Sequence, residues 1–164
     1  MGQSDSLHIY DQLNQLGINF EVIQHPAAHT TEMADSFIEG IEGVRTKTLL
    51  LTNRKKTQYY MLIMDDQKRL DMKKFAEIIG SSRLQFANEE NILEKINQTP
   101  GTISIFGLEY ENAKDIKVYY DLDITHEARQ SFHPNDNTKT IFISTPDTFK
   151  YIESVGFELE IVDL

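Results

Sequence analysis

The segment Val44–Thr52 constrains the fold more than any other stretch, because it has the composition of a central β-strand and yet carries a lysine. Alternate side chains of a strand share a face, so we expect Lys47 on the same side as Leu49 and Leu51 and opposite Thr48. An ammonium group among apolar neighbours costs free energy unless an anion, a lone pair or water meets it. The pattern therefore predicts either a binding site around Lys47 or a strand end from which this side chain reaches solvent.

Length and composition indicate a soluble protein with one folded unit. The 164 residues suffice for a substantial core, and we treat residues 1–164 as a single domain. No apolar run approaches the roughly 20 residues of a membrane-spanning helix, and the first residues do not resemble a secretion signal. The absence of cysteine excludes disulfides, a thiolate nucleophile and a cysteine-based zinc site. We expect a cytoplasmic protein that does not contact a membrane.

The distribution of charge points to a negatively charged partner. The net charge of −10 at first argues against nucleic acid. Residues 45–83, however, hold ten Lys/Arg and four Asp/Glu, a balance of +6, so the remainder of the chain carries −16. This asymmetry suggests that the segment around Lys47 faces a polyanion, although a solvated hairpin tip and helix face would give the same counts.

Periodicity and capping residues predict helices and strands in an irregular alternation, which indicates an α+β fold with a mixed, partly closed sheet or barrel. Helices are expected over residues 5–16, from Thr30 or Thr31 to Gly40, and over 71–80, 88–96 and 145–156, with Thr145 as the last cap. Strands are expected over residues 18–23, 44–52, 59–64, 81–87, 117–121, 139–144 and 158–162, the second and third forming a hairpin. The glycine-bounded segment 99–107 is either a loop that offers N–H groups to an anion or carbonyl, or a turn before a buried strand.

Most familiar catalytic patterns are missing. His25 and His29 lie four residues apart, but Pro26 stands between them and no acidic ligand follows at a recognisable spacing, so we predict no metal and no other cofactor. A nucleophile elbow, a phosphate-binding glycine loop and a carboxylate pair at diagnostic spacing are also missing from the sequence. A pocket lysine, a glycine-rich loop, a His-Pro-Asn loop and a basic surface remain. Together they would suit a carbonyl substrate attached to a polyanion.

Several short segments carry a more specific signal because of their order and spacing. They are His25-Pro26, Arg45-Thr46-Lys47-Thr48-Leu49, the stretch from Pro100 to Gly107, the stretch from Phe132 to Thr138, and Val162-Asp163-Leu164. In this order they resemble the YbaK/ProX family of trans-acting aminoacyl-tRNA deacylases, which is related to the editing domain of bacterial prolyl-tRNA synthetases. The last two look most like the ProX branch. The resemblance spans nearly the whole chain and favours a site at Lys47 over a solvent-exposed strand end.

This resemblance implies hydrolysis of the ester that links a wrong amino acid to the terminal adenosine of proline tRNA, chiefly alanine and in some branches cysteine. Lys47 matches the family's essential lysine, which we expect to position the ester or the terminal phosphate. Gly101 matches the first residue of the family's GxxxP loop, whose amides would stabilise the oxyanion as water attacks. His133 matches a residue near the terminal adenosine, with Asn135 supporting its loop.

The remaining site predictions also follow from the resemblance. We expect Arg45, Thr48 and Thr102 to add contacts with the substrate or tRNA. The substrate's own ribose hydroxyl is expected to help activate water, which agrees with the lack of an obvious protein base. Two positions depart from the family pattern. Ile105 occupies the place of the motif proline, which bears on loop rigidity and on the size filter for the amino acid, and Thr48 stands where alanine-specific members often have asparagine.

Other functions would use the same residues. A module that binds tRNA or prolyl-tRNA synthetase without hydrolysis is suggested by Ile105, and a small-molecule carboxylate site at Lys47 would be unrelated to editing. Prolyl-tRNA synthetase is thus a candidate partner beside the acceptor end of proline tRNA. Selection between alanine and cysteine depends on the shape of the pocket, which the identity of its residues does not define, so the sequence leaves the substrate open. It also leaves the oligomeric state open.

Overall fold

The computed structural model describes residues 2–27 and 30–164, without the side chains of residues 2–5, 31 and 34. The helices are α1 Gly2–Gln15, α2 Thr31–Phe37, α3 Met72–Ile79, α4 Glu89–Ile96 and α5 Thr145–Ser154. The strands are β1 Phe20–Gln24, β2 Val44–Asn53, β3 Tyr59–Asp65, β4 Leu84–Phe86, β5 Lys117–Asp121, β6 Arg129–Phe132, β7 Lys139–Ser144 and β8 Leu159–Val162. Short 3₁₀ helices occupy Pro100–Thr102, Ile105–Glu109, Glu111–Ala113 and Leu122–His126.

The strands form one mixed sheet in the order β1-β7-β6-β2-β3-β5-β8, with β4 paired to β2 beside this path. Neighbours β2 and β3, β6 and β7, and β1 and β7 are antiparallel, whereas β2 and β6, β3 and β5, and β5 and β8 are parallel. The predicted α+β class and mixed sheet are confirmed. Among the described strands β1 and β8 end the path without pairing to each other, so the sheet does not close into a barrel.

Strand β2 changes its neighbour along one edge. Val44 and Arg45 pair with β6, whereas Leu51 to Asn53 pair with β4. The other edge of β2 pairs with β3 from Thr46 to Thr52. Between β6 and β4, the first edge of β2 therefore has no strand beside it in the described part of the chain, and Lys47 lies in this interval.

The sheet separates two apolar clusters. Leu50, Met61 and Ile63 belong to the larger cluster, which also contains side chains of α1, α4 and α5. Leu51 belongs to the smaller cluster, beneath α3. The alternation predicted for β2 is therefore confirmed, and Leu49 packs against the smaller cluster.

Strand β6 is missed by the sequence analysis because its interior positions are polar. Gln130 and Ser131 are both buried. The Tyr120 hydroxyl donates to Gln130 Oε1, while Gln130 Nε2 donates to the Ile124 carbonyl at 3.2 Å and to Thr145 Oγ1 at 3.3 Å. A polar side chain can be buried in a strand when its hydrogen-bonding groups all have partners. Such a residue does not contribute to the hydrophobic alternation by which a strand is recognised in the sequence.

Other local predictions need correction at their ends. Segment 99–107 forms 3₁₀ turns, so the alternative of a turn before a buried strand is wrong. The α5 cap is Ser144, whose Oγ accepts the Asp147 N–H at 3.2 Å, and not Thr145. Helix α2 is capped by Thr30 and ends at Phe37, before the predicted Gly40. Across the residues that the structure describes, no helix has the length and apolar character needed to span a membrane.

Gly43 leads into β2 at a position that a larger residue would disturb. Its φ is +139°, and a Cβ atom there would lie 2.8 Å from Phe142 Cδ2 and 3.4 Å from Arg129 Cβ. Phe142 is fully buried beneath the guanidinium groups of Arg45 and Arg129, 5.3 and 5.0 Å from its ring centroid, so it has little room to move. Gly43 thus fixes the approach of the chain to the Lys47 segment.

We expect Gly43→Ala to lower the free energy of unfolding by about 2–4 kcal/mol, because backbone strain adds to the clash with Phe142. Urea denaturation measures this change. Gly40→Ala is the matched control, since its φ is +85° but a Cβ atom would meet nothing within 4 Å; we expect only the backbone cost of about 1 kcal/mol. Equal losses in the two variants would show that contact with Phe142 is unimportant.

Candidate active site

An open cavity of about 390 Å³ lies beside the interval of β2 that has no strand neighbour. Its wall combines residues from α2, β2, the turn after β3, the 3₁₀ turn at Pro100 and the loop between β6 and β7. The lining includes the predicted site residues Lys47, Thr48, Gly101 and His133. The predicted residues Arg45, Thr102 and Asn135 are not part of the lining.

Lys47 contributes an unpaired cation to this wall. It is half-buried, and its ammonium group makes no hydrogen bond or ion pair with the described residues. Burial lowers the pKa of Lys47, and the negative charges of Asp66 and Asp65 partly offset this effect. Since Lys47 is the fourth residue of β2 and lines a cavity, the structure does not place it at an open strand end.

The 3₁₀ turn Pro100–Thr102 brings backbone donors to the cavity. Gly101 and Ile103 both line it, and their N–H groups make no hydrogen bond with the described chain. A Cβ atom on Gly101 would meet nothing within 4 Å, so space beside this residue is open. Free N–H groups at the edge of a cavity suit an oxygen that gains negative charge during a reaction.

Gln98 holds this turn in place from below. Its buried Oε1 accepts the Ser104 N–H at 3.0 Å, and its Nε2 donates to Ser104 Oγ at 3.2 Å and to Asn135 Oδ1 at 2.5 Å. Asn135 has a φ of +59° in the loop that carries His133. One buried amide therefore ties the Gly101 turn to the His133 loop, and Asn135 acts through this contact and not from the cavity wall.

Ile105 lies away from the cavity. Its side chain is fully buried in the larger apolar cluster, whereas Ile103 is the isoleucine that lines the cavity. The residue in the place of the motif proline thus packs the core beneath the turn, and the anchoring of the turn comes from Gln98.

His133 presents a neutral imidazole to the cavity. Its Nδ1–H donates to the Lys139 carbonyl at 2.9 Å, which leaves Nε2 as an acceptor. Burial lowers the pKa of His133, with the Lys139 hydrogen bond acting in the opposite direction. His25 stacks on Phe37 of α2 at 5.3 Å and meets the His133 ring edge-on at 6.4 Å, so these rings connect α2 to this wall.

The guanidinium group of Arg45 forms hydrogen bonds within the protein. It donates to the carbonyls of Ile38 at 2.5 Å and Ile41 at 2.6 Å, and also to that of Gly43. These bonds fasten the segment that follows α2 to the start of β2. A contact between Arg45 and tRNA stays a prediction, and so does one from Thr102, whose N–H and hydroxyl bond Thr99 within the 3₁₀ turn.

Two carboxyl groups in the cavity wall were missed by the sequence analysis. Asp35 of α2 and Asp66, which follows β3, form a side-chain hydrogen bond, and Gln67 Nε2 lies 3.4 Å from Asp35 Oδ2 and 3.1 Å from Asp66 Oδ1. Burial, together with the neighbouring Asp35, raises the pKa of Asp66 to about 7. The two residues lie 31 positions apart on different elements, so no local motif joins them.

Of the two histidines named above for their spacing, His29 lies outside the described residues. The described residues contain no group of three or more His, Asp or Glu side chains arranged to hold a metal ion.

Comparisons with known proteins converge on one family. The model of the aminoacyl-tRNA editing domain matches residues 25–151. The prolyl-tRNA editing protein ProX of Acetoanaerobium sticklandii is 29% identical over 154 residues, 93% of each chain. A prolyl-tRNA synthetase associated domain-containing protein 1 of Mus musculus is 28% identical over 152 residues, covering 90% of this chain and 89% of that protein.

The fold is shared with a solved structure described as a candidate trans-editing enzyme for prolyl tRNA synthetase. The two superpose with a TM-score of 0.72 over 98% of this chain and 96% of the other, at 18% identity. At that identity the match supports the fold alone.

The Asp66 carboxyl predicts a pH-dependent stability. Since its pKa rises from 3.8 to about 7 on folding, the folded state binds this proton more tightly, and the stabilisation is lost as the pH rises from about 4 through 7. We expect the free energy of unfolding of Asp66→Asn at pH 8 to be higher than that of the wild type by on the order of 1 kcal/mol. This figure allows for solvent screening of a partly exposed group. The difference should narrow toward pH 4 in thermal denaturation.

Asp123→Asn is the control for this prediction. Asp123 is exposed, and its hydrogen bond with Lys68 lowers its pKa, so removing its charge should destabilise the protein at pH 8 and have less effect in acid. The same trend in both variants would contradict burial as the origin of the Asp66 effect.

Proposed function

The chain belongs to the aminoacyl-tRNA editing domain family, and from this membership we propose that it hydrolyses mischarged proline tRNA in trans, with the alanyl ester as its main substrate. The predicted enzyme class, an aminoacyl-tRNA deacylase, is confirmed by the family match and by the editing relative. The observation that supports the proposal most directly is the cavity itself. Within the matched segment it combines the unpaired Lys47 ammonium with the free N–H groups of Gly101 and Ile103.

In the proposed reaction, water attacks the ester carbonyl of the aminoacyl group, and the bond between this carbon and the ribose oxygen then breaks. The carbonyl oxygen becomes negatively charged in the intermediate, where the Gly101 and Ile103 N–H groups would donate to it. The ribose oxygen leaves with one proton of the attacking water, and the amino acid is released as a carboxylate after the other proton passes to solvent. Lys47 would hold the ester or the terminal phosphate through its charge and thereby orient the carbonyl.

His133 would act on the ribose. With its Nδ1–H committed to the Lys139 carbonyl, its Nε2 is an acceptor for a ribose hydroxyl of the terminal adenosine. The neighbouring ribose hydroxyl can then pass a proton between the attacking water and the leaving oxygen, so the reaction needs no protein side chain as the base.

The choice of alanine rests on the apolar part of the wall. Ile38, Leu49, Ile103 and Phe132 line the cavity beside Thr48, which is buried and stands in the place of an asparagine of alanine-specific members. A small apolar side chain such as a methyl group fits these neighbours without unpaired polar atoms. Cysteine remains the alternative substrate, because a difference of this size is worth only about 1–3 kcal/mol in an apolar pocket.

The proposed partner of the protein is proline tRNA, whose acceptor end would enter the cavity. Arg54, Lys55 and Lys56 are exposed at the turn between β2 and β3, as are Lys73 and Lys74 on α3, and none of these forms an ion pair with the described residues. Unpaired cations of this kind favour phosphate contacts. Prolyl-tRNA synthetase is a second proposed partner, on the basis of the Mus musculus relative's name alone.

We expect Lys47→Ala to reduce deacylation by about 100-fold or more while leaving the thermal midpoint unchanged, because Lys47 makes no bond that holds the fold. The assay measures release of labelled amino acid from proline tRNA charged separately with alanine, cysteine or proline. Lys114→Ala, an exposed lysine outside the cavity, is the matched control and should behave like the wild type.

Each outcome of this assay decides between functions. Selective release of one mischarged amino acid names the substrate, and retained release by Lys47→Ala contradicts the role of this lysine. No release from any of the three, with tRNA still bound, would instead identify a binding module without hydrolysis.

We expect Gly101→Ala to reduce kcat/KM for the same substrate by about ten- to a hundred-fold, because a methyl group would occupy the open space where the ester carbonyl must approach the turn. The folded protein should tolerate the change, since the added Cβ atom meets nothing within 4 Å. Thermal denaturation provides the control. If Gly101→Ala lowers the thermal midpoint so far that unfolding accounts for the lost activity, Gly101 has a structural role only.

A further inference from the structure

The cavity wall carries opposite charges that form no ion pair. Lys47, Asp35 and Asp66 all line it, and none of the ion pairs within the described chain joins the lysine to either carboxyl group. Electrostatic attraction nevertheless acts between Lys47 and Asp66. A cavity wall that presents an ammonium group without an ion-pair partner together with two carboxyl groups complements a ligand that carries both an electron-rich group and a cation.

The carboxyl pair itself lacks a cationic partner in the described chain. Its protein contacts are the mutual hydrogen bond and the amide of Gln67 at 3.4 and 3.1 Å. Two adjacent carboxyl groups disfavour each other's ionised form unless a counter-charge lies between them. The other charged or titratable groups near this pair are Lys47 of β2, the adjacent Asp65 and His133. A bound ammonium group would supply the counter-charge and donate hydrogen bonds to both carboxyl groups.

We propose that Asp35 and Asp66 bind the α-ammonium group of the aminoacyl ester and are specificity-determining residues of the editing cavity. This inference rests on the proposed deacylase function. In an aminoacyl ester the amino group is attached to the carbon beside the carbonyl, so a carbonyl held at the Gly101 turn keeps its ammonium group within the same cavity. Lys47 remains for the ester or phosphate, and the carboxyl pair accepts the ammonium group.

The substrate class follows from this assignment. A free α-amino group is required, and an ester whose amino group is acylated, as in peptidyl-tRNA, loses the charge that the pair recognises and adds bulk beside it. The cavity therefore selects aminoacyl-tRNA over peptidyl-tRNA. The pair does not distinguish alanine from cysteine, since both carry the same amino group, and side-chain selection is left to the apolar wall.

A binding experiment tests the inference without relying on turnover. The probes are 3′-deoxy-3′-(alanylamino)adenosine and its lactoylamino counterpart, which has nearly the same shape but a hydroxyl group in place of the ammonium group. Calorimetry at pH 7.5 should show that the wild type prefers the alanyl compound by about ten- to a hundred-fold. The double variant Asp35→Asn and Asp66→Asn should bind the two compounds equally. Glu39→Gln, an exposed charge change outside the cavity, should retain the wild-type preference.

Hydrolysis supplies a second measurement. Alanyl-tRNA and N-acetylalanyl-tRNA are compared with the same variants, and we expect acetylation to slow the wild type by about ten-fold or more and the double variant far less. Equal binding of the two adenosine probes by the wild type, or a preference retained by the double variant, overturns the inference. If neither ester is hydrolysed while the binding preference depends on the two aspartates, the proposed hydrolysis fails and the ammonium site stands.

Discussion

The change of neighbour along β2 is the constraint on which the site depends. A central strand normally has both edges paired, but β2 passes from β6 to β4 with an interval between them. Along this interval the other edge of β2 is paired with β3, which holds it within the sheet. The cavity wall at Lys47 therefore belongs to a central strand of the sheet and has its rigidity, which a site on a surface loop would lack.

Three separate tethers bring the other walls to this interval. Arg45 fastens the segment after α2 through backbone carbonyls, Gln98 joins the Gly101 turn to the His133 loop, and the His25 ring packs between α2 and His133. Arg45 and Gln98 act through hydrogen bonds, which fix relative positions more sharply than apolar packing does because they are directional. His25 acts through ring packing, and its Nε2 also bonds Thr140 Oγ1 at 2.9 Å.

The sequence was sufficient for most of the fold because hydrophobic alternation and capping residues mark elements locally. The β2–β3 hairpin and the helices expected over residues 71–80 and 88–96 were identified in this way, and the structure confirms them. Strand β6 escaped because Gln130 and Ser131 are buried polar residues, which give the strand no hydrophobic pattern. The Asp35–Asp66 pair escaped because the fold alone brings these two residues together. Lys47 was found because a charge within an apolar strand is a local anomaly.

Ile105 occupies the position where the sequence resemblance leads one to expect a proline, and the structure shows what holds the turn around it. A proline limits a single backbone angle in the turn. Here the turn is held by the Gln98 side chain, which hydrogen-bonds both the backbone N–H and the hydroxyl of Ser104 and also bonds Asn135. Position 105 is thereby free to serve the core, where a fully buried isoleucine contributes apolar contacts that a proline would supply less well. The turn is therefore anchored without a proline at position 105, and the Gly101 and Ile103 N–H groups stay free of hydrogen bonds with the described chain.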